Sequence, residues 1–218
     1  ARYAIDAVPE GFTVLAPHPE QREFFGNAAG LTLYEAALGR LVDLGAQLRT
    51  IDYAPFLEAG NLVFDGPWIA DRYASVGPFV DRHGDEVLPS VRAVLDKASG
   101  WSAADVFAAT ARLRELKAKA RAAFASGAVL ALPTVAPLYS IAEMQADPIT
   151  RNTHHGHYSY FANPLDLSAV SVPAGFYAGG MPFGITLFAP AFEDAKLAGI
   201  ARLLVQSEGA PLGTGRPA

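Results

Sequence analysis

The sequence contains no cysteine among its 218 residues, which excludes disulfide bonds, thiolate catalysis and cysteine-based metal sites. It also has little charge, because Asp, Glu, Lys and Arg make up only 18% of the chain, against about 25% in a typical soluble domain. There is no excess of basic residues, since 17 Lys and Arg stand against 22 Asp and Glu and the net charge is −5. We therefore expect no nucleic-acid partner, because binding to phosphates requires positive charge.

Common catalytic and nucleotide-binding motifs are absent as well. The chain has no GxxxxGK[ST] phosphate loop and no GxGxxG dinucleotide fingerprint. It also lacks the GxSxG nucleophile elbow and the HExxH zinc motif. The function has to be inferred from less common patterns.

Two long windows, residues 122–142 and 167–192, contain no Asp, Glu, Lys or Arg. Each window is long enough to raise the question of a membrane-spanning helix. Prolines and glycines interrupt both windows more often than a spanning helix tolerates. We interpret the windows as short strands covered on both faces, which are continuously apolar, and we expect no membrane partner.

Alternating strand-like and helix-like patterns predict an α/β fold, in which helices cover a mixed β-sheet. A strand, a helix and a second strand follow one another near the start, which favours a parallel βαβ pair. A long helix follows Ser102, a suitable N-cap residue. The predicted strands are residues 12–15, 48–51, 129–132, 169–172 and 183–188, and the main predicted helices are residues 34–44, 102–124 and 194–206.

The long helix has an apolar stripe at helical spacing and a charged face, which we expect to be exposed to solvent. The stripe consists of Val106, Ala109, Leu113, Leu116, Ala120 and Ala123.

The segment at residues 64–73, FDGPWIADRY, contains a candidate anion-binding arginine. Pro67 suits the first position of a helix, which would place Trp68 and Arg72 on one helix face. An arginine held against an indole ring is a rigid, planar fork that can bind a carboxylate at two points. The alternative is a structural ion pair between Arg72 and a nearby aspartate, namely Asp65, Asp71 or Asp81.

Three of the five histidines, His154, His155 and His157, lie within four residues. A metal site is one interpretation, because histidine is a frequent metal ligand. The spacing matches no i, i+4 pair on a helix, so we expect a polar loop instead. A Ser159–His157–Asp166 triad is a further alternative, although no motif for an oxyanion hole accompanies it.

The stretch Leu132-Pro133-Thr134 ends an apolar strand with a proline. Loops at strand ends are where α/β folds place ligands, so this stretch is a candidate ligand position. The alternative is that Pro133 only terminates the strand.

Six stretches of the chain, in order, resemble the amidase-signature family, and within it the allophanate hydrolases. The first, residues 64–73, is similar to the family stretch YEGPWVAERY. The others are LPTVAPLYSIAE, DP followed by Asn152, GHYSYFANPLDL, AVSVPAGF and MPFGITL, and the six together extend from residue 64 to residue 187.

This resemblance implies an α/β/α fold with a mixed sheet, and hydrolysis of allophanate or a similar small carboxylate-bearing amide with release of ammonia. It implies a serine nucleophile, a second serine on a cis peptide and a lysine, all in the earlier half of the domain. None of these family motifs occurs in this sequence. We therefore expect residues 1–218 to be the C-terminal half of the domain, to contain no catalytic residue and to be inactive alone.

The same resemblance implies the partners. We expect a small anionic amide as substrate, the missing N-terminal half of the same domain as the structural partner, and a cytoplasmic homodimer that uses no cofactor and no metal.

For the substrate-binding residues, the resemblance implies contacts from a tyrosine and an arginine, whose positions here are Phe64 and Arg72. Phe64 lacks the family hydroxyl, which can weaken substrate binding by about 1 kcal/mol. Tyr160 replaces a family asparagine and Pro164 replaces a leucine. Two other functions stay open: a non-catalytic binding or assembly module, and a histidine-dependent metal site at residues 154–157.

Overall fold

The computed structural model describes residues 11–208, apart from the side chains of Phe64 and Glu208. Its strands are β1 (Phe12–Pro17), β2 (Ala46–Ile51), β3 (Val129–Pro133), β4 (Leu167–Phe176) and β5 (Pro182–Pro190). They form one five-stranded mixed sheet in the order β2-β1-β3-β5-β4. The predicted α/β class with a mixed, helix-covered sheet is confirmed. The first and last ten residues of the predicted 1–218 unit lie outside the described range.

The parallel part of the sheet is the predicted βαβ unit. Strands β1 and β2 pair in parallel, with Phe12 opposite Ala46. They are connected through helix α1 (Ala28–Asp43), which begins where the Asn27 side chain accepts a hydrogen bond from the Gly30 amide. Strand β3 then pairs in parallel with β1, and β4 and β5 form an antiparallel hairpin next to β3.

Seven further α-helices lie within residues 11–208. The longest, α5, begins with a complete capping box between Ser102 and Asp105, as the N-cap prediction requires. The helices are α2 (Ala54–Phe64), α3 (Ile69–Arg82), α4 (Pro89–Leu95), α5 (Ala103–Ala123), α6 (Ile141–Ala146), α7 (Pro148–Gly156) and α8 (Asp194–Glu208).

The predicted stripe of α5 is correct for Ala109, Leu113, Leu116 and Ala120, which are buried, whereas Ala123 is only partly buried against the core. Val106 is 37% exposed, and the prediction that it is buried is wrong. The cause is that the first six residues of α5 are all exposed, so the helix becomes buried only near the end of its second turn.

Strand β3 is buried along its whole length, as expected for a strand covered on both faces. Strand β4 differs from that expectation, because Ala169 and Ser171 are exposed while Val172 and Ala174 on its other face are buried. One face of the β4–β5 hairpin is therefore partly uncovered. Within residues 11–208, no helix combines the length and the apolar character that a membrane crossing would need.

Candidate functional site

Arg72 lies in the first turn of α3 and lines a cavity of about 380 Å³. The walls of this cavity come from α3, α4, α6 and α7, and a second cation, Lys97, also faces it. Asp65 lies at the same cavity, with its Oδ1 4.0 Å from the Lys97 Nζ. We call this space the Arg72 cavity.

A tight connection between α2 and α3 positions Arg72. A Cβ on Gly66 would overlap the carbonyl oxygen of Leu62, so only glycine allows α2 to end this close to the next turn. Helix α3 begins at Ile69, two residues later than the proline signal predicts. The Arg72 amide donates to the Trp68 carbonyl at 3.4 Å, so the two residues lie one helical turn apart, as the spacing predicts.

The alternative of a structural ion pair proposed three aspartates as partners for Arg72. Two of them have other contacts: Asp65 faces Lys97, and Asp81 accepts a hydrogen bond from the Tyr73 hydroxyl at 2.7 Å. Phe64, the other predicted substrate-binding residue, is the last residue of α2, and its side chain lies outside the described part of the chain. The binding roles of Arg72 and Phe64 stay predictions.

Tyr160 and Asn152 also belong to this site. The Asn152 side chain lines the Arg72 cavity. Its amide nitrogen donates to the Tyr160 hydroxyl at 2.7 Å, and this hydroxyl donates to the Asn152 carbonyl at 2.8 Å. Burial raises the pKa of the Tyr160 hydroxyl, and the positive charge of Arg72 partly opposes that effect.

Sequence reasoning assigned no role to Asn152 or Lys97. Asn152 belongs to one of the quoted family stretches, and that was the signal available. Lys97 had no signal, since it reaches the cavity from a segment that matches no motif.

A second cavity, of about 460 Å³, lies at the carboxyl end of β3. Thr134 lines it, at the strand end where the sequence places a candidate ligand site. The Thr134 Oγ1 lies 2.8 Å from the Ser171 Oγ and 2.9 Å from the Thr186 Oγ1, so three hydroxyls meet on the uncovered face of the hairpin. Tyr139 and His155 form part of the opposite wall.

His154 and His155 do not lie in a polar loop, as the sequence analysis expects, but in the last turn of helix α7, and His157 is the C-cap residue that follows it. Asp147 caps this helix by accepting a hydrogen bond from the Thr150 amide, and Pro148 occupies its first turn. These two start signals outweigh the polar composition of the segment.

The histidine rings are held by aromatic contacts. His154 stacks on Phe25 with ring centroids 4.0 Å apart, and its Nδ1 lies 2.6 Å from the Tyr139 hydroxyl. His155 stacks against the Tyr139 ring. Burial lowers the pKa of His155, and neighbouring His154 lowers it further. Both rings pack against aromatic side chains rather than around a common point.

His157 is half-buried beside Tyr53 and Tyr158, and burial lowers its pKa. Its Nε2 has no hydrogen-bond partner within residues 11–208. The Ser159 Oγ donates to the Gly156 carbonyl at 3.4 Å rather than to a histidine. The alternative of a Ser159–His157–Asp166 triad is therefore wrong, because the segment after Gly156 forms consecutive turns instead of an extended strand.

The alternative of a metal site at residues 154–157 has no geometric support. In the described part of the chain, no group of three or more His, Asp or Glu side chains is arranged to hold a metal ion.

The sequence was compared with known protein families and with known proteins. The amidase family profile matches residues 44–198. The urea amidolyase of Saccharomyces cerevisiae is 32% identical over 192 residues, which are 87% of this chain and 10% of that protein.

Solved structures of two hydrolases resemble the fold. The allophanate hydrolase of Kluyveromyces lactis superposes with a TM-score of 0.89 at 26% identity, over 98% of this chain and 35% of the other. The 6-aminohexanoate cyclic dimer hydrolase superposes with a TM-score of 0.75 at 20% identity, over 100% of this chain and 49% of the other, and this likeness concerns the fold alone. The chain thus spans about a tenth of the curated relative and about a third of the first of these solved chains.

Proposed function

Because this chain belongs to the amidase family, we propose that it forms the substrate-binding half of an amidase that hydrolyses allophanate or a similar small amide bearing a carboxylate. The observation that carries this proposal is the position of Arg72 on the wall of a cavity large enough for such a molecule. The similarity to urea amidolyase and to a solved allophanate hydrolase supports the choice of substrate class.

The charges around the Arg72 cavity suit an anionic ligand. Arg72 and Lys97 contribute two positive charges to its wall, whereas Asp65 contributes one negative charge. A guanidinium offers parallel N–H groups that match the two oxygens of a carboxylate. In our proposal, Arg72 binds the substrate carboxylate and Lys97 adds a positive field that attracts it.

We propose that the groups that break the amide bond come from polypeptide preceding residue 1. A serine would attack the amide carbonyl, with a lysine accepting its proton through a second serine. Ammonia would leave, and water would then release the acyl group. The four lysines of this chain do not suit that role: Lys97 lies at the anion cavity, Lys117 and Lys119 belong to the charged face of α5, and Lys196 contacts Glu193.

The sheet offers a place for such a preceding half. Within residues 11–208, the outer edges of β2 and β4 pair with no other strand, and one face of β4 exposes Ala169 and Ser171. Unpaired strand edges and uncovered sheet faces are unfavourable in a complete domain. A second half of the domain would cover them. The homodimeric state and the cytoplasmic location stay predictions.

The proposal is tested by titrating the 218-residue chain with malonate, a small dicarboxylate, in a calorimeter. Replacing Arg72 with Ala removes a charge-assisted two-point contact, so we expect malonate binding to weaken by about tenfold or more. Arg72→Lys keeps the charge but not the fork, and it should bind with intermediate affinity.

The matched control is Arg82→Ala, which removes the same charge from the last turn of the same helix, where the side chain is exposed. Unchanged malonate affinity in Arg72→Ala, or an equal loss in Arg82→Ala, would remove Arg72 from the site.

Catalysis is tested separately by measuring ammonia release from allophanate. The purified chain should release none, whereas the intact protein that contains it should be active and should lose activity with Arg72→Ala. If the chain alone released ammonia steadily, and a substitution within the chain abolished that release, the proposal that the catalytic groups lie outside this chain would be contradicted. Malonate binding without any activity of the intact protein would favour a non-catalytic binding module.

A further inference from the structure

The Arg72 cavity is larger than a minimal substrate needs. Its volume of about 380 Å³ lies in the range of roughly 300–1,000 Å³ that is typical of sites for drug-sized ligands. Allophanate and malonate are much smaller, because each consists of two short planar groups joined through a single atom. A ligand of that size bound at Arg72 would leave part of the cavity to water.

The charged side chains occupy one part of the cavity wall. Among the lining residues of the described chain, the charged ones are Asp65, Arg72 and Lys97. Asp65 follows α2, Arg72 lies in α3 and Lys97 follows α4. The Asp65 Oδ1 lies 4.0 Å from the Lys97 Nζ. The groups that attract and bind a carboxylate therefore come from the part of the chain between α2 and the end of α4.

The wall that α6 and α7 contribute is uncharged. It consists of Met144, Pro148, Ile149, Asn152 and Thr153, and the first three of these side chains are apolar. Ile149 is 43% exposed, although it lies beside a cavity. Contact with an apolar part of a ligand would remove this surface from water, which favours binding.

Apolar side chains also line the cavity from α3 and α4. Ile69 of α3 and Leu95 of α4 are buried and belong to a small core cluster. Val91 of α4 lines the cavity as well and is 47% exposed. Two exposed apolar side chains from different helices, Val91 and Ile149, thus line one cavity, which is typical of a site for a ligand with an apolar part.

From this division of the wall we propose that the substrate is a carboxylate-bearing amide that also carries a short apolar chain, and that Ile149 is a specificity-determining residue for this chain. Arg72 binds the carboxylate, and the apolar chain lies against the wall from α6 and α7. This inference rests on the proposed function and narrows its substrate class. Allophanate, which has no apolar group, would use only the charged part of the cavity.

The experiment compares malonate with n-butylmalonate in calorimetric titrations of the 218-residue chain. The two ligands carry the same pair of carboxylates and differ only in the butyl chain. Complete burial of one methylene group strengthens binding by roughly fourfold. Because a chain in an open cavity is only partly buried, we expect butylmalonate to bind about tenfold more tightly than malonate.

Ile149→Ala tests the contribution of the uncharged wall. It should reduce the preference for butylmalonate by about threefold and leave the affinity for malonate unchanged. The matched control is Ile141→Ala, since Ile141 lies on α6, is 78% exposed and is not among the residues that line the cavity. It should keep the preference of the unchanged protein. Both isoleucines are exposed, so neither substitution should prevent folding.

Arg72→Ala tests whether the two ligands bind in the same way. It should weaken malonate and butylmalonate by a similar factor, because Arg72 binds a carboxylate of each. If Arg72→Ala weakens malonate alone, the butyl chain binds elsewhere and the inference is overturned.

The outcomes separate this inference from the proposed function. If both ligands bind with equal affinity and both depend on Arg72, the inference is overturned and the proposed function survives. Equal preferences in Ile149→Ala and Ile141→Ala would also overturn the inference. If the intact protein that contains this chain lacks the preference, the preceding polypeptide covers the uncharged wall and the inference is overturned. If the chain, with its fold verified by circular dichroism, binds neither ligand, both are overturned.

Discussion

The guanidinium of Arg112 and the carboxylate of Glu58 form a two-point ion pair, with Nε to Oε1 at 2.5 Å and Nη2 to Oε2 at 2.7 Å. This pair ties α5 to α2, the helix that leads into Gly66 and the Arg72 cavity. The hydrogen bond from Arg112 holds the pKa of Glu58 below its usual range. The long charged helix is therefore more than a solvated surface, because one of its charges fixes the element that positions the site.

Glu58→Gln should lower the melting temperature at pH 7 by about 1–2 °C, the range expected for an ion pair that is partly exposed. Because the folded-state pKa of Glu58 is lowered, its contribution is complete above the unfolded-state pKa, near 4.3, and is lost as the pH falls. The difference between the two proteins should shrink below about pH 4.

Thermal unfolding followed by circular dichroism measures this difference. Glu20→Gln, at an exposed position outside any ion pair between the described residues, is the control. Equal shifts in the two variants would mean that the Arg112 contact contributes nothing.

Gly156→Ala should destabilise the chain by about 1–3 kcal/mol, the usual cost of adding a methyl group to a filled space. The added Cβ would overlap the Tyr160 ring. The same substitution in a Tyr160→Ala background should be neutral or slightly stabilising, because alanine favours the helix more than glycine does.

A double-mutant cycle of free energies of unfolding measures this coupling. If Gly156→Ala costs the same in both backgrounds, the close approach of the ring to α7 is not what requires glycine at position 156.

Patterns that are local in sequence predicted much of the fold. The five strands, the parallel βαβ unit and the capped start of α5 all follow from short runs of apolar residues and single capping residues. Arg72 and Trp68 were placed correctly relative to each other, because one helical turn fixes their geometry.

The features of the site that the sequence analysis did not predict depend on contacts between segments that are distant in sequence. Asn152, Tyr160 and Lys97 approach Arg72 from segments roughly 25 to 90 residues away, and no local pattern encodes that meeting. Helix α7 was missed because its signal is a capping aspartate and a proline rather than an apolar stripe. Similarly, the exposure of Val106 depends on where the core ends, which periodicity cannot indicate.

Thr134→Val should lower the free energy of unfolding by about 1 kcal/mol, because it removes the hydroxyl that bridges Ser171 and Thr186 while keeping the shape of the side chain. Urea unfolding measures the change. Thr110→Val is the matched control, since the Thr110 hydroxyl only bonds the Val106 carbonyl in its own helix, and it should change stability by less than about 0.5 kcal/mol. Equal effects at the two positions would contradict a role for the three-hydroxyl cluster.

His157 should make the fold less stable in mild acid. Burial lowers its folded-state pKa, an effect that the charge of Glu23 partly opposes and His154 reinforces. The unfolded chain, with a histidine pKa near 6.5, takes up the proton first, so stability is complete above about pH 6.5 and falls as the pH drops towards the folded-state pKa. His157→Gln should therefore lose less stability than the unchanged protein between pH 7 and pH 5.

Glu23→Gln should change the acid sensitivity in the opposite direction from His157→Gln. It keeps an oxygen that can accept from the Phe25 amide but removes the negative charge that favours protonated His157. Its loss of stability on acidification should be steeper than that of the unchanged protein. Urea unfolding at pH 7, 6 and 5 measures all three proteins. If the two substitutions change the slope in the same direction, or not at all, the unpartnered Nε2 of His157 is not the group that sets the acid sensitivity of this fold.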